Sequence, residues 1–135
     1  MDDRYKFCMD TATKLRLAHT DKSDLAACAI RLAAARLVTG LRQNEMAIAI
    51  FGADRRTKIN NMERGLNYPS REVMTWLFRN HRIDFNFMML GLYAQLPGDV
   101  QEVLFEKLVI ANNEWDRKEH SNPGQAGRLT SQPQT

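Results

Sequence analysis

The run from Gln43 to Gly65, QNEMAIAIFGADRRTKINNMERG, constrains this chain more than any other stretch. Its first part, Gln43 to Phe51, is made mostly of good helix formers with an apolar stripe. Gly52 interrupts it, as glycine does where a helix stops and turns. The second part, Arg55 to Arg64, has only two large apolar residues, Ile59 and Met62, at i, i+3 spacing. One narrow stripe therefore faces a core, and the remaining positions are Arg, Thr, Lys, Asn and Glu. Gly65 ends this second helix. The run reads as two short helices joined by a tight turn, and no strand pattern occurs elsewhere, so an all-α fold is expected.

The flanking sequence supplies the rest of a helical domain. A chain of 135 residues with 44% hydrophobic side chains is long enough for one domain and short extensions. Residues 1–22 are weakly patterned and read as an N-terminal extension with a possible short helix from Ala12 to Ala18. Ser23 or Asp24 can cap a helix from Leu25 to Val38, with Leu25, Cys28, Ala29, Leu32, Ala35 and Val38 at helical spacing. Arg31 and Arg36 fall off that stripe. Pro69 marks a loop after Gly65, and Ser70 caps a helix whose inner face is Val73, Trp76 and Leu77, with Asn80 at its margin. Asp84 caps a short helix, Phe85 to Leu90, with Phe85, Met88 and Met89 inward. Residues 23–92 thus hold five helices. A long helix follows within 97–120, started by Pro97-Gly98-Asp99 and the capping pair Asp99 and Glu102. Its stripe is wide, and can pack on the five-helix domain or pair with a second subunit. Val100, Leu104, Leu108, Ala111 and Trp115 are the candidate dimerisation residues. The tail, 121–135, is rich in Asn, Gln, Ser, Gly and Pro and is expected to be disordered.

Charge is unevenly spread. Residues 31–82 carry ten Lys or Arg against four acids, a net +6, whereas residues 83–135 carry a net −3. A positive field confined to the segment with the paired short helices is the footprint expected for a polyanion partner. B-DNA's major groove admits one helix, and its base edges are read by Arg and Lys on guanine, Asn and Gln on adenine, and Thr on several bases. The unpaired N–H groups at a helix start also favour a phosphate. Catalysis has little to work with. His19, His81 and His120 are isolated, and no phosphate-binding glycine loop or nucleophile motif occurs. Cys8 and Cys28 form neither a zinc spacing nor a C-x-x-C pair, so no metal, no cofactor and no enzyme activity are expected. The absence of a membrane-length apolar run and of a signal-peptide pattern leads to the expectation of a soluble, cytoplasmic protein.

The segment from Leu32 to Gly91 resembles the Xre/Cro/C1-type helix-turn-helix family, the DNA-binding domain of phage repressors and many bacterial regulators. The residues that carry the resemblance are Gly40-Leu41-Arg42-Gln43, Ala47, Ile59 to Gly65, Tyr68-Pro69-Ser70, Glu72-Val73, Leu77, and Ile83 to Gly91. The resemblance implies a five-helix lambda-repressor-like domain, with Gln43–Phe51 as supporting helix and Arg55–Arg64 as recognition helix. It implies that Arg55, Arg56, Thr57 and Asn61 face bases or phosphates, that Lys58 and Asn60 lie nearby, that Gln43 touches phosphate and that Arg64 lies near the sugar-phosphate backbone. Arg42 completes the candidate interface, and Glu63 is expected to be structural. One departure is that Gln43 and Glu63 are 20 positions apart, about two more than is typical of the family, with the extra residues around Phe51–Asp54. The function expected is a transcriptional regulator, a repressor acting as a homodimer on an inverted repeat of double-stranded DNA. A protein-interaction module of antitoxin type is the alternative, with a toxin or an anti-repressor as protein partner. An interaction helix would show exposed apolar anchors, and this one shows Arg, Lys and Asn.

Overall fold

One helix, Leu25–Thr39, lies at the centre of the molecule, and its sequence explains why. Ala27, Cys28, Ala29, Ile30, Leu32, Ala34 and Ala35 are all buried, which leaves almost no solvent stripe along the middle of the helix. A helix that is apolar nearly all round belongs in a core, and its many alanines let neighbouring helices approach closely. The computed structural model describes residues 9–121, with the backbone alone for His120 and Ser121. In chain order the helices are α1 (Thr11–Ala18), α2 (Leu25–Thr39), α3 (Gln43–Phe51), α4 (Arg56–Glu63), α5 (Arg71–His81), α6 (Phe85–Leu90) and α7 (Gly98–Ser121). There is no strand among the described residues. None of their helices is long and apolar enough to cross a membrane. Helix α2 packs against α4, α6 and α7; α1 packs on α7, and α3 on α4 and α5.

Local chemistry sets the ends of these helices. The Asp10 carboxylate accepts from the Thr13 N–H at 2.8 Å, Ser70 Oγ from Val73 N–H at 3.2 Å, and Asp84 Oδ1 from Phe87 N–H at 2.9 Å, so α1, α5 and α6 each start on a side-chain cap. At α3 the reach runs backwards, with Glu45 Oε1 accepting from the Arg42 N–H at 2.8 Å. Helix α3 spans Gln43–Phe51 as the sequence suggests, and the four residues 52–55 join it to α4. Helix α4 is one residue shorter at each end than expected, because Arg55 (φ −110°, ψ 50°) is not helical and Arg64 forms the C-terminal cap.

The structure refines several sequence expectations. Residues 11–22 are no loose extension: Leu17 and Ala18 are buried, Asn112 of α7 donates to Leu17 O at 3.0 Å, and Thr20 Oγ1 donates to Gly91 O at 2.7 Å. For the long helix, the first of its two expected alternatives, packing on the five-helix domain, describes the inner stripe. Val100, Leu104, Leu108 and Ala111, the candidates for pairing or core packing, are buried within the chain's own core, where α7 lies along α2. Trp115 is half-buried against the same core. The wide stripe thus covers an otherwise exposed side of α2. In α6 it is Phe87 and Met88 that are buried, while Phe85 faces outward, because the core contact of this single-turn helix falls on its middle. In α5 Asn80 is exposed and donates to Trp76 O at 3.0 Å, and Met74 takes its place beside Val73 and Leu77. Of the expected tail, Ser121 closes α7, and residues 122–135 lie outside the described residues.

A further change concerns Arg31, which the sequence counts with the surface cations. It is fully buried. Its guanidinium donates to five backbone carbonyls: Met88 at 3.0 Å, Ala18 at 2.9 Å, His19 at 2.9 Å, Lys22 at 2.7 Å and Met89 at 2.9 Å. The planar fork of an arginine matches such a set of acceptors, and no lysine could. The end of α1 and the end of α6 are thereby tied to α2. Gly91 is required at the same junction. Its φ is +70°, and a Cβ there would collide with Ala18 O and crowd the Arg31 guanidinium.

Candidate nucleic-acid interface

Helix α4 is held by very little. Ile59 and Met62 are its only buried residues, and they rest on α2 and α3. Arg55, Arg56, Thr57, Lys58 and Arg64 are all exposed, and Asn60 and Asn61 are half-buried. The narrow apolar stripe legible in the sequence therefore leaves the rest of the helix as a donor-rich surface. The Lys58 ammonium lies 5.0 Å from the Phe51 ring centroid, a cation–π contact that bridges the four-residue connection.

The inner edge of this surface is braced by one carboxylate. Glu63 receives Arg36 Nε at 2.5 Å and Nη2 at 3.1 Å, a fork-to-fork pair whose side chains are 8% and 17% exposed respectively. Gln43 Nε2 donates to the same carboxylate at 3.1 Å and to Asn60 Oδ1 at 3.3 Å, while Arg36 Nη1 reaches Leu41 O at 3.0 Å. One acid thus fixes α2, α3 and α4 relative to one another. The structural role expected of Glu63 follows from these bonds. The Gln43 amide nitrogen points inward to α4, where it meets Glu63 and Asn60, so the side chain expected at a phosphate also belongs to the brace.

The start of α4 has an acidic neighbour. Asp54 Oδ1 accepts from the Arg56 N–H at 3.3 Å, so an acid of the chain already sits on the amino end that was expected to attract a phosphate. Arg42 stands at the rim, 79% exposed, and holds Glu45 at 3.0 Å. That contact keeps the Glu45 carboxyl below its ordinary range.

Of the ten cations in residues 31–82, the structure spends Arg31 in the core, Arg36 on Glu63, Arg42 on Glu45 and Arg82 on Asp99 at 2.7 Å. Arg55, Arg56, Lys58, Arg64, Arg71 and Arg79 are exposed and have no acid partner among the described residues. Arg31 and Arg36 could have been flagged from sequence only by noticing that they lie on a helix otherwise made of Ala, Leu, Ile and Val.

The other reactive side chains are separate. His19 Nε2 meets Asn112 Oδ1 at 2.7 Å, His81 lies 5.2 Å from the Trp76 ring, and Cys28 is buried, which pushes its thiol pKa up and disfavours the thiolate. No group of three His, Cys, Asp or Glu that could hold a metal ion occurs among the described residues. Comparison with family models, with curated proteins and with solved structures gives no match to this chain.

Proposed function

We propose that the chain is a sequence-specific regulator that binds double-stranded DNA through a helix-turn-helix formed by α3 and α4, with α4 in the major groove. The observation that carries this reading is the partition of α4: two buried apolar residues on one side, and Arg55, Arg56, Thr57, Lys58 and Arg64 exposed on the other. Base edges in the major groove call for this set of side chains, and the cations add a phosphate-seeking field. The Arg36–Glu63–Gln43 brace supports it, because reading bases needs a rigidly held helix.

Since one short helix reads few base pairs, the reading includes a homodimer on an inverted repeat, with half-sites about one helical turn apart. Occupancy then blocks or recruits polymerase, and repression is the proposed outcome. Pairing has to use a surface other than the core stripe of α7. On that helix Val103 and Ile110 are exposed, seven residues apart on one face.

Selection of binding sites from a random-sequence duplex library at near-physiological salt tests the reading. An enriched palindromic motif is the expected result. Weak binding that disappears with salt and enriches no motif would count against it and favour the protein-interaction alternative. Replacing Arg56 with Ala is expected to cost about 1–3 kcal/mol on the selected site and little on random duplex. An equal loss on both would make Arg56 a phosphate contact.

A further inference from the structure

The C-terminal end of α4 is closed by a particular set of bonds. Leu66 N–H donates to Asn61 O at 2.9 Å, Gly65 N–H to Met62 O at 3.3 Å, and Arg64 N–H to Asn60 O at 2.9 Å. With Gly65 at φ +78°, this is the Schellman arrangement, in which a left-handed residue just past the cap returns two N–H groups to the last turn. Such caps are usually sealed by an apolar contact between the residue after the glycine and the third residue from the helix end. That seal is missing here. The third residue from the end is Asn61, and Leu66 is 52% exposed.

Another side chain takes the place of the seal. A Cβ on Gly65 would lie 3.2 Å from Cη2 of Trp115, with Leu25 O at 3.8 Å and the Ala29 Cβ at 3.9 Å. The indole of α7 therefore rests on the bare backbone at Gly65, against the start of α2. The register of α7 at this point is fixed one turn earlier. Asn112 Nδ2 donates to Leu17 O at 3.0 Å and to Leu108 O at 2.8 Å, and its Oδ1 meets His19 Nε2 at 2.7 Å. Trp115 is thus a fixed ring over the cap of a helix that has only two buried residues of its own. Eight residues in isolation do not hold a helix, so α4 depends on its tertiary contacts and its caps.

We propose that Trp115 is a positioning residue of the recognition helix: by covering Gly65 it closes the C-terminal cap of α4, and it couples the C-terminal helix to DNA reading. This rests on the DNA-binding function proposed above. Asn61 and Arg64 are the two candidate contact residues nearest that cap, so loosening the cap disturbs them first.

The test uses the full chain with Trp115→Ala and Trp115→Phe. It compares amide hydrogen exchange at residues 64–66 with affinity for the motif selected by the wild type and for a random duplex. In Trp115→Ala, exchange at the cap is expected to speed up, and motif affinity to fall about fivefold while random-duplex affinity stays the same. Trp115→Phe keeps an aromatic cover, and should recover part of both and remain informative if the alanine variant does not fold. Unchanged exchange at residues 64–66 in a folded variant would overturn the proposal. So would faster exchange with undiminished preference for the motif. A wild-type chain that selects no motif would instead remove the DNA reading itself, and this inference with it.

Discussion

At the scale of the residue, the decisive group is Arg31. A charge taken wholly out of water is tolerated when it is fully hydrogen-bonded, and five carbonyls from two distant parts of the chain supply that here. Its removal would leave those carbonyls buried and unanswered. Replacing Arg31 with Met should therefore cost about 3–5 kcal/mol in urea unfolding, well beyond the loss of its packing alone. Arg31→Lys should be nearly as harmful, because one ammonium offers three donors on a round charge where a flat fork is needed. A loss below about 1 kcal/mol would mean that the carbonyls find other partners. His81 offers a second test at this scale. Burial beside Trp76 lowers its pKa from the ordinary histidine value, so the unfolded chain binds the proton more readily. Its contribution to stability is complete above about pH 6.5 and is lost as the pH falls below that. The thermal midpoint should decline from pH 7 to pH 5, and His81→Gln should flatten that decline.

At the scale of the element, what sequence could show was set by periodicity and punctuation. Helix α3 and the sparse stripe of α4 were legible because Gly52, Gly65 and the Ile59–Met62 pair are local signals. The caps Ser70 and Asp84 were legible for the same reason. Whatever depends on a neighbour distant in sequence was not. Arg31 and Arg36 look like surface cations until α6 and α4 are placed beside α2, and the bond from Gln43 to Glu63 is invisible until α3 and α4 are placed side by side. The brace itself gives a prediction. Glu63→Gln keeps the shape and removes the charge that Arg36 and Gln43 share, leaving a guanidinium only 17% exposed without its acid. Stability is expected to fall by about 2–4 kcal/mol in denaturant titration. Motif binding should weaken as well, measured at a temperature where the variant remains folded. A variant with wild-type stability would show that Leu41 O and solvent suffice for Arg36.

At the scale of the whole molecule, the question is what α7 contributes, since one apolar helix can serve a core or a partner. The inner stripe is spent inside the chain: Leu104 and Leu108 have no solvent exposure, and they face α2 across a close contact that its alanines permit. The outer face keeps Val103 and Ile110, 40% and 46% exposed, between Glu102, Glu106, Lys107 and Glu114. An apolar pair of this kind, on a helix already anchored by its other side, can hold a second copy without loosening the first. The two faces therefore predict different phenotypes for similar changes. Leu108→Asp buries a carboxylate where no partner exists, and the chain should lose cooperative unfolding and helical circular dichroism. Ile110→Asp changes a surface position, and the melting temperature of the isolated domain should barely move. If the outer face pairs, Ile110→Asp should reduce the mass measured by light scattering to that of one chain, and should weaken binding to a two-half-site duplex far more than to a single half-site. A wild-type chain that is dimeric together with an Ile110→Asp variant that stays dimeric would move the pairing surface off α7. The core role of Leu108 would stand, because it depends on the fold of one chain alone.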